Sequence, residues 1–359
     1  MRQQTVREGS GSGAESTGLR ILLDQKEEEK EMKIFFYAMR EYDEVPFAEQ
    51  YAREMGIDFG WTSQYPVLEN IQLAEGADAV SMTPCDMSAP MVDAFHAIGV
   101  KYILCRSIGY DHVDLERAKS YGMRVSNVSY PPSGVANYAI MLMMMLQRKI
   151  VPILRRADLQ DYSLKGKIGD DLSFSTVGVI GTGRIGTTVI EHLSGFGCRI
   201  LCYDPYKNPT AAKYAQYVPL EELYRNADVI TLHTNATEEN YHLLNAAAFQ
   251  QMKDGVLIVN TARGKLIDTD ALVDALESGK VGGAALDVLE KEDGLYYYNR
   301  IGDVIANRDM ALLRSFPNVL MCPHTAFYTK QAVGNMIRGN FEAAEAFEKG
   351  EPTEHEVHA

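Results

Sequence analysis

Three side chains of complementary chemistry each follow an apolar, strand-like run. Arg263 closes Val259-Asn260-Thr261-Ala262-Arg263-Gly264, Glu292 follows Ala285-Leu286-Asp287-Val288-Leu289-Glu290-Lys291, and His324 follows Val319-Leu320-Met321. In open α/β sheets the ligand-contacting side chains gather at such strand ends. A guanidinium presents a planar fork that holds a carboxylate and an adjacent oxo group, a geometry lysine cannot reproduce. A histidine beside a carboxylate is favoured in its charged form and can hand a proton to a ketone oxygen. Singly, each residue also reads as a surface ion pair, an acid in a charged loop or a core histidine. Their shared place at strand ends favours general-acid chemistry on a small anionic carbonyl compound.

The sheet that would carry them has its own ligand signal. Val177-Gly178-Val179-Ile180-Gly181-Thr182-Gly183-Arg184-Ile185-Gly186 is a buried-strand pattern running into G-x-G-x-x-G, and Asp204 ends the next apolar run, Arg199-Ile200-Leu201-Cys202-Tyr203. Glycine serves the tight turn at 181, the approach of a pyrophosphate at 183 and close helix packing at 186. The helix opening near Arg184 aims unpaired N–H groups and a partial positive charge at the phosphates. A carboxylate at 204 accepts from ribose hydroxyls and repels a 2′-phosphate, so the expected cofactor is NAD rather than NADP. Thr182, Arg184 and Ile185 in the loop, Thr234, and Thr261 and Ala262 ahead of Arg263 are assigned to the same cofactor cleft. A ligand-free glycine turn would explain the motif alone, but not the strand, helix and acid around it.

The chain has 359 residues, 46% of them hydrophobic, enough to bury the cores of two domains. A formal charge of −14 argues against nucleic acid or an anionic membrane as a partner, so an anionic substrate must be held by local cations. The cysteines, Cys85, Cys105, Cys198, Cys202 and Cys322, form no C-x-x-C pair, which suits reduced, mostly buried thiols in a cytoplasm, and no metal site is expected. Cys198 and Cys202 read as core packing. The longest apolar run, Ile140 to Leu146, is too short to span a bilayer, and its Met141, Met143, Met144 and Met145 read as packing on a buried helix. Residues 1–31, with Gly9-Ser10-Gly11-Ser12-Gly13 and a charged run over 26–31, are expected to be disordered, with a short amphipathic helix over 19–32 as the alternative and Met32 as the expected natural start.

From Met32 the pattern alternates strands, at 34–37, 79–82, 102–105 and 124–126, with helices near 45–55, 88–97 and 114–120. A second series begins near Pro132 with a long helix to about 149. Strands follow at 177–180, 199–203, 228–232, 256–259, 282–286 and 319–321, and a last helix over about 329–349 is expected to return to the first domain. The fold class is therefore α/β, with two doubly wound parallel-sheet domains. A Rossmann domain over 130–327 is expected inside a discontinuous substrate domain over 32–129 and 328–359, with a cleft between them.

The combined pattern, from about Met32 to about Lys349, resembles the D-isomer-specific 2-hydroxyacid dehydrogenases. Arg263 falls on the family's Asn-x-Ala/Gly-Arg-Gly arginine, Glu292 on the acid of Asp-x-x-Glu-x-Glu, and His324 on the histidine of Pro-His. The resemblance implies a flavodoxin-like substrate domain, Asp287 on the nicotinamide side, His233 in the cofactor cleft as a contact and not a catalyst, and a homodimer. Pro323-His324-Thr325-Ala326-Phe327-Tyr328-Thr329 and Val128-Ser129-Tyr130-Pro131-Pro132 look most like the D-lactate dehydrogenase branch. That likeness implies NADH-dependent reduction of pyruvate, with Tyr130 and Phe327 lining a small pocket and the turn Thr83-Pro84-Cys85 offering N–H groups to the substrate carboxylate. The chain departs from the family at Pro131, Asn137 and Asn235. A larger 2-oxo acid, such as phenylpyruvate, 2-oxoisocaproate or 2-oxoglutarate, would use the same three residues. The run Tyr296-Tyr297-Tyr298 reads either as a loop packing on the cleft or as a dimer contact. An NAD-sensing protein resembling the C-terminal-binding-protein corepressors is a rival of another class, disfavoured by the acidic charge and the absence of a basic cluster.

Overall fold

The computed structural model describes residues 32–292 and 294–359. Apart from Met32, which is buried, the expectations for the N-terminal extension lie outside the described residues.

Five short strands, β1 (Lys33–Phe36), β2 (Asp58–Trp61), β3 (Ala79–Met82), β4 (Tyr102–Cys105) and β5 (Arg124–Ser126), form a parallel sheet in the order β5-β4-β3-β1-β2, the flavodoxin-like arrangement. Seven more, β6 (Thr176–Ile180), β7 (Arg199–Tyr203), β8 (Gln216–Tyr217), β9 (Val229–Leu232), β10 (Val256–Asn260), β11 (Val281–Leu286) and β12 (Val319–Met321), form a second parallel sheet in the order β12-β11-β10-β9-β6-β7-β8. The chain leaves β6 toward β7 and later returns to β6's other side as β9. The crevice at this change of direction, beyond the strands' C-terminal ends, is where such sheets bind ligands. All four residues of β9 are buried, as expected of a strand covered by helices above and below.

The helix Lys330–Glu348 then crosses back to the first sheet. Ile337 and Phe341 pack with Ile34, Phe36, Ala79 and Leu104, and Asn340 donates its amide to the Cys105 carbonyl at 3.2 Å. The two-residue β13 (Glu356–Val357) adds an antiparallel edge beside β5. Just past β4, the fully buried Arg106 donates to Glu44, Ser81 Oγ and the carbonyls of Tyr37 and Ala38. Removing Glu44 would leave that charge buried and uncompensated, a loss of about 3–5 kcal/mol. This anchor fixes the start of the loop Ser107–Gly109, which faces the second lobe.

The expected fold class stands, with differences at its margins. β2 carries Asp58 and Gly60 and is an edge strand, so it lacks the apolar signal of its neighbours. The long helix expected to about 149 is Ser133–Gln147, and a second helix that was not expected, Ile150–Asp158, follows a break at Lys149, whose φ of 51° is left-handed. Met143 is buried, but Met141 and Met144 are 38% and 37% exposed, so this helix is not buried all round. No helix among the described residues is long and apolar enough to cross a membrane.

Candidate active site

The glycine turn is shaped by contacts that exclude side chains. Gly181 has φ 96°, and a Cβ there would lie 2.5 Å from the His233 carbonyl oxygen. A Cβ at Gly186 would lie 1.9 Å from the Gly181 carbonyl oxygen, so the helix Arg184–Ser194 can approach the strand only with glycine at 186. Above Gly183 there is open space, and no side chain caps the helix, whose first N–H groups are left for an anion. Asp204 accepts from Thr182 N at 2.7 Å and Tyr206 N at 2.8 Å, so it braces the turn while keeping further lone pairs for ribose hydroxyls. The Thr182 hydroxyl accepts from Tyr217 Oη at 2.7 Å, Ile185 packs on the underlying core, and Arg184 donates to Ser129 Oγ in the connection between lobes.

Deeper in the crevice, Thr261 Oγ1 is buried without a hydrogen-bond partner among the described residues. Thr234 donates to the Asn235 carbonyl at 3.4 Å. His233 Nε2 lies 2.8 Å from Thr231 Oγ1, and burial pushes its pKa down to about 3, which keeps the ring neutral and suits a contact role. Asn137, one of the departures from the family pattern, meets His192 Nδ1 at 2.8 Å and ties two helices of this lobe together. The uncapped helix, the open space over Gly183 and the orphaned Thr261 hydroxyl fit an NAD molecule.

The three candidate chemical side chains converge on the same crevice. His324 Nδ1 lies 2.6 Å from Glu292 Oε1, and Glu292 Oε2 accepts the Leu289 N–H at 2.7 Å. With Nδ1 committed, Nε2 is the nitrogen left for a substrate. His324 has φ 55°, a left-handed backbone that a non-glycine residue keeps only when its surroundings impose it. Asp287 imposes it. Its carbonyl takes the His324 N–H at 2.7 Å, and its two carboxylate oxygens take the N–H groups of Thr325 and Ala326 at 2.9 Å each. Burial raises the pKa of Asp287, and these two backbone donors pull it back down. Asp287, expected on the nicotinamide side, is fully buried and spends its carboxylate on the histidine loop.

Arg263 donates to the Ala262 carbonyl at 2.8 Å, and its loop is held by Asn260, which accepts from Ala262 N and donates to the Arg263 carbonyl. Across the crevice, a Cβ at Gly109 would sit 2.1 Å from Arg263 Nη2. The substrate-lobe backbone against this guanidinium is therefore Gly109; in the turn Thr83-Pro84-Cys85, expected to face the substrate carboxylate, only Thr83 and Cys85 have an N–H to offer. The sequence gives no signal for Gly109, because its segment, Ser107-Ile108-Gly109-Tyr110, carries no charged side chain and no motif spacing.

The tyrosine run resolves into three separate tasks. Tyr296 is buried in the core of the second lobe, Tyr297 donates to the His324 carbonyl at 3.2 Å, and Tyr298 stacks on Tyr65 of the first lobe with ring centroids 5.3 Å apart. Phe327 meets the rings of Tyr297 and His324 edge-on at 6.4 and 6.3 Å, and packs with Tyr130 on Val128, Val333 and Met336. Tyr65 lies within electrostatic reach of Thr83, Cys85 and Tyr297, and Tyr130 within reach of Arg263. The run therefore packs on the cleft. Tyr65 sits in a loop with no sequence motif around it.

A glycine turn at the reversal point of a seven-stranded parallel sheet, facing a guanidinium and a carboxylate-bound imidazole, defines a nucleotide-dependent oxidoreductase. Comparison narrows the class. Residues 140–326 match the family model described as D-isomer specific 2-hydroxyacid dehydrogenase, NAD binding domain. The chain is 40% identical over 311 residues to the aromatic 2-oxoacid reductase of Clostridium sporogenes, covering 85% of this chain and 93% of that one. It is 40% identical over 320 residues to the D-lactate dehydrogenase of Lactiplantibacillus plantarum, covering 88% and 96%. A solved structure of D-2-hydroxyisocaproate dehydrogenase superposes with a TM-score of 0.83 at 34% identity, covering 91% of this chain and all of the other. The chain belongs to the D-isomer-specific 2-hydroxyacid dehydrogenases and is an NAD-dependent oxidoreductase of 2-hydroxy acids.

Proposed function

We propose that the chain reduces pyruvate to D-lactate with NADH, reversibly, with residues 130–327 as the nucleotide domain and residues 32–129 and 328–359 as the substrate domain. The observation that carries the reading is the 2.6 Å pair of His324 and Glu292 in the crevice that also holds Arg263. The Arg263 guanidinium binds the substrate carboxylate and polarises the 2-oxo group, with Gly109 pressed against it limiting where the substrate can lie. NADH, when bound, supplies the hydride for C2. His324, oriented through Nδ1 by Glu292, gives its proton to the developing alkoxide, and in the reverse direction the neutral ring takes the hydroxyl proton. General-acid catalysis is worth about 10²–10⁴-fold, so orientation and oxyanion stabilisation at Arg263 must supply much of the rest.

The pocket wall supports a small substrate: Tyr297, Phe327 and His324 lie within 6.4 Å of one another by ring centroid. A second reading, reduction of a larger or aromatic 2-oxo acid, is favoured by the 40% identity to an aromatic 2-oxoacid reductase and by the wall's aromatic lining. Arg263→Lys tests the mechanism under either reading. It should retain less than about one tenth of wild-type kcat/KM, a loss above about 1.4 kcal/mol; greater retention contradicts the role.

A homodimer and a reducing cytoplasmic setting complete the proposal. The helix Ile150–Asp158 buries none of its residues, and Leu164 and Ile168 beyond it are 87% and 82% exposed, which supports a second copy as their cover. The described cysteines are all free thiols.

A further inference from the structure

Behind the catalytic loop lies a second histidine that the proposed reaction does not use. His242 has φ 51° and stacks on Tyr241 with ring centroids 3.8 Å apart. Its Nε2 lies 3.1 Å from Glu290 Oε2, and its Nδ1 lies 3.7 Å from Asp268 Oδ2. Tyr241 Oη donates to the other Glu290 oxygen at 3.0 Å, so both oxygens of this carboxylate are held. The segment is itself fixed: His242 N donates to the Lys265 carbonyl, Leu244 N to that of Leu266, and Asp268 N to that of Leu244. Residues 242–244 thus run beside the continuation of the Arg263 loop while gripping the loop that ends in Glu292.

The two loops also touch directly. A Cβ at Gly264 would lie 2.1 Å from the Leu289 carbonyl carbon and 2.3 Å from Glu290 N. Leu289 N donates to Glu292 Oε2 at 2.7 Å, and Lys291, between Glu290 and Glu292, has φ 64°. The backbone joining Glu290 to Glu292 therefore makes a strained turn that something must hold.

We infer that His242, with Tyr241, is a positioning residue: by gripping Glu290 it keeps the Leu289–Glu292 turn closed, and so keeps Glu292 against His324 and the Glu292 loop against the Arg263 loop. The inference rests on the proposed role of the His324–Glu292 pair. The groups facing His242 are Glu290, Asp268 and the Tyr241 ring, and none of them lines the substrate crevice as described.

The test compares His242→Ala, His242→Gln, Glu290→Gln and Glu292→Gln in the full-length enzyme. It measures kcat, KM and the pH profile of NADH-dependent pyruvate reduction, with thermal melting as a check on folding. Because a misplacement of about 1 Å can cost about 10²-fold in rate, His242→Ala is expected to lower kcat by about tenfold or more with KM within about twofold. Its alkaline limb should move to lower pH, in the direction of Glu292→Gln. His242→Gln, which retains an N–H donor for Glu290, should recover most of the rate, and His242→Ala combined with Glu292→Gln should be little worse than Glu292→Gln alone. If His242→Ala does not fold, Glu290→Gln carries the same expectation. Wild-type kcat and pH profile in His242→Ala, with only the melting temperature lowered, would overturn the positioning role while leaving the His324–Glu292 reading intact. An unshifted profile in Glu292→Gln would overturn both.

Discussion

The amide N–H of His324 donates to the carbonyl oxygen of Asp287 at 2.7 Å, and the carboxylate of Asp287 takes the next two N–H groups of the loop. One buried residue thereby imposes the left-handed backbone that presents the imidazole. Asp287→Asn replaces one acceptor with a donor facing an N–H group and leaves that group unsatisfied, at about 1–3 kcal/mol. A folded Asp287→Asn enzyme is expected to lose about 10²-fold in kcat with a smaller change in KM, as steady-state kinetics would show. A kcat within about threefold of wild type would mean that the loop holds its shape without the carboxylate.

The two directions of the reaction should depend on pH in opposite senses. Reduction needs His324 protonated and falls as pH rises through the titration of that ring; oxidation of the hydroxy acid needs it neutral and rises. His233 stays neutral because burial holds its pKa near 3, so it cannot be the titrating group. In His233→Asn the limb should stay in place even if NADH binding weakens, whereas in Glu292→Gln it should move to lower pH. A limb that follows His233 instead would reassign the acid.

Tyr298 and Tyr65 stack on one another, one ring from each lobe, with Thr83 beside Tyr65, and on the proposed reading they wall one end of the substrate pocket. Removing a ring from that wall should admit longer side chains. For Tyr298→Ala, the ratio of kcat/KM for pyruvate to that for phenylpyruvate is expected to fall by about tenfold or more, within the ~1–3 kcal/mol that pocket contacts usually control. An unchanged ratio would place the specificity wall elsewhere.

The exposed apolar side chains beyond the helix Ile150–Asp158 give the proposed homodimer a direct test. Leu164→Asp with Ile168→Asp should convert a dimer to monomer by sedimentation velocity while the NADH-binding turn, which lies elsewhere in the lobe, stays intact. A dimer that survives both changes would place the interface on another face.

Much of this was legible in the sequence because the signals were local. The glycine spacing at 181, 183 and 186 falls within six residues, and the apolar runs of β6, β7 and β9 to β11 are mostly buried strands. What escaped was set by distant neighbours or sat at edges. β2 and β13 pair at the margins of the first sheet and carry polar residues. Gly109 and Tyr65 gain meaning only when the lobes bring them to Arg263 and Tyr298. The motif marks Asp287, but no spacing reveals that its carboxylate is taken up by the N–H groups of Thr325 and Ala326.

The most direct measurement is NADH oxidation at neutral pH with pyruvate, 2-oxobutyrate, 2-oxoisocaproate, phenylpyruvate and 2-oxoglutarate, with chiral analysis of each product. The highest kcat/KM is expected for pyruvate, with D-lactate as the product. Preference for phenylpyruvate or another large acid would contradict the small pocket at Tyr130 and Phe327, and no turnover of any 2-oxo acid while NADH still binds would contradict the proposed reaction itself.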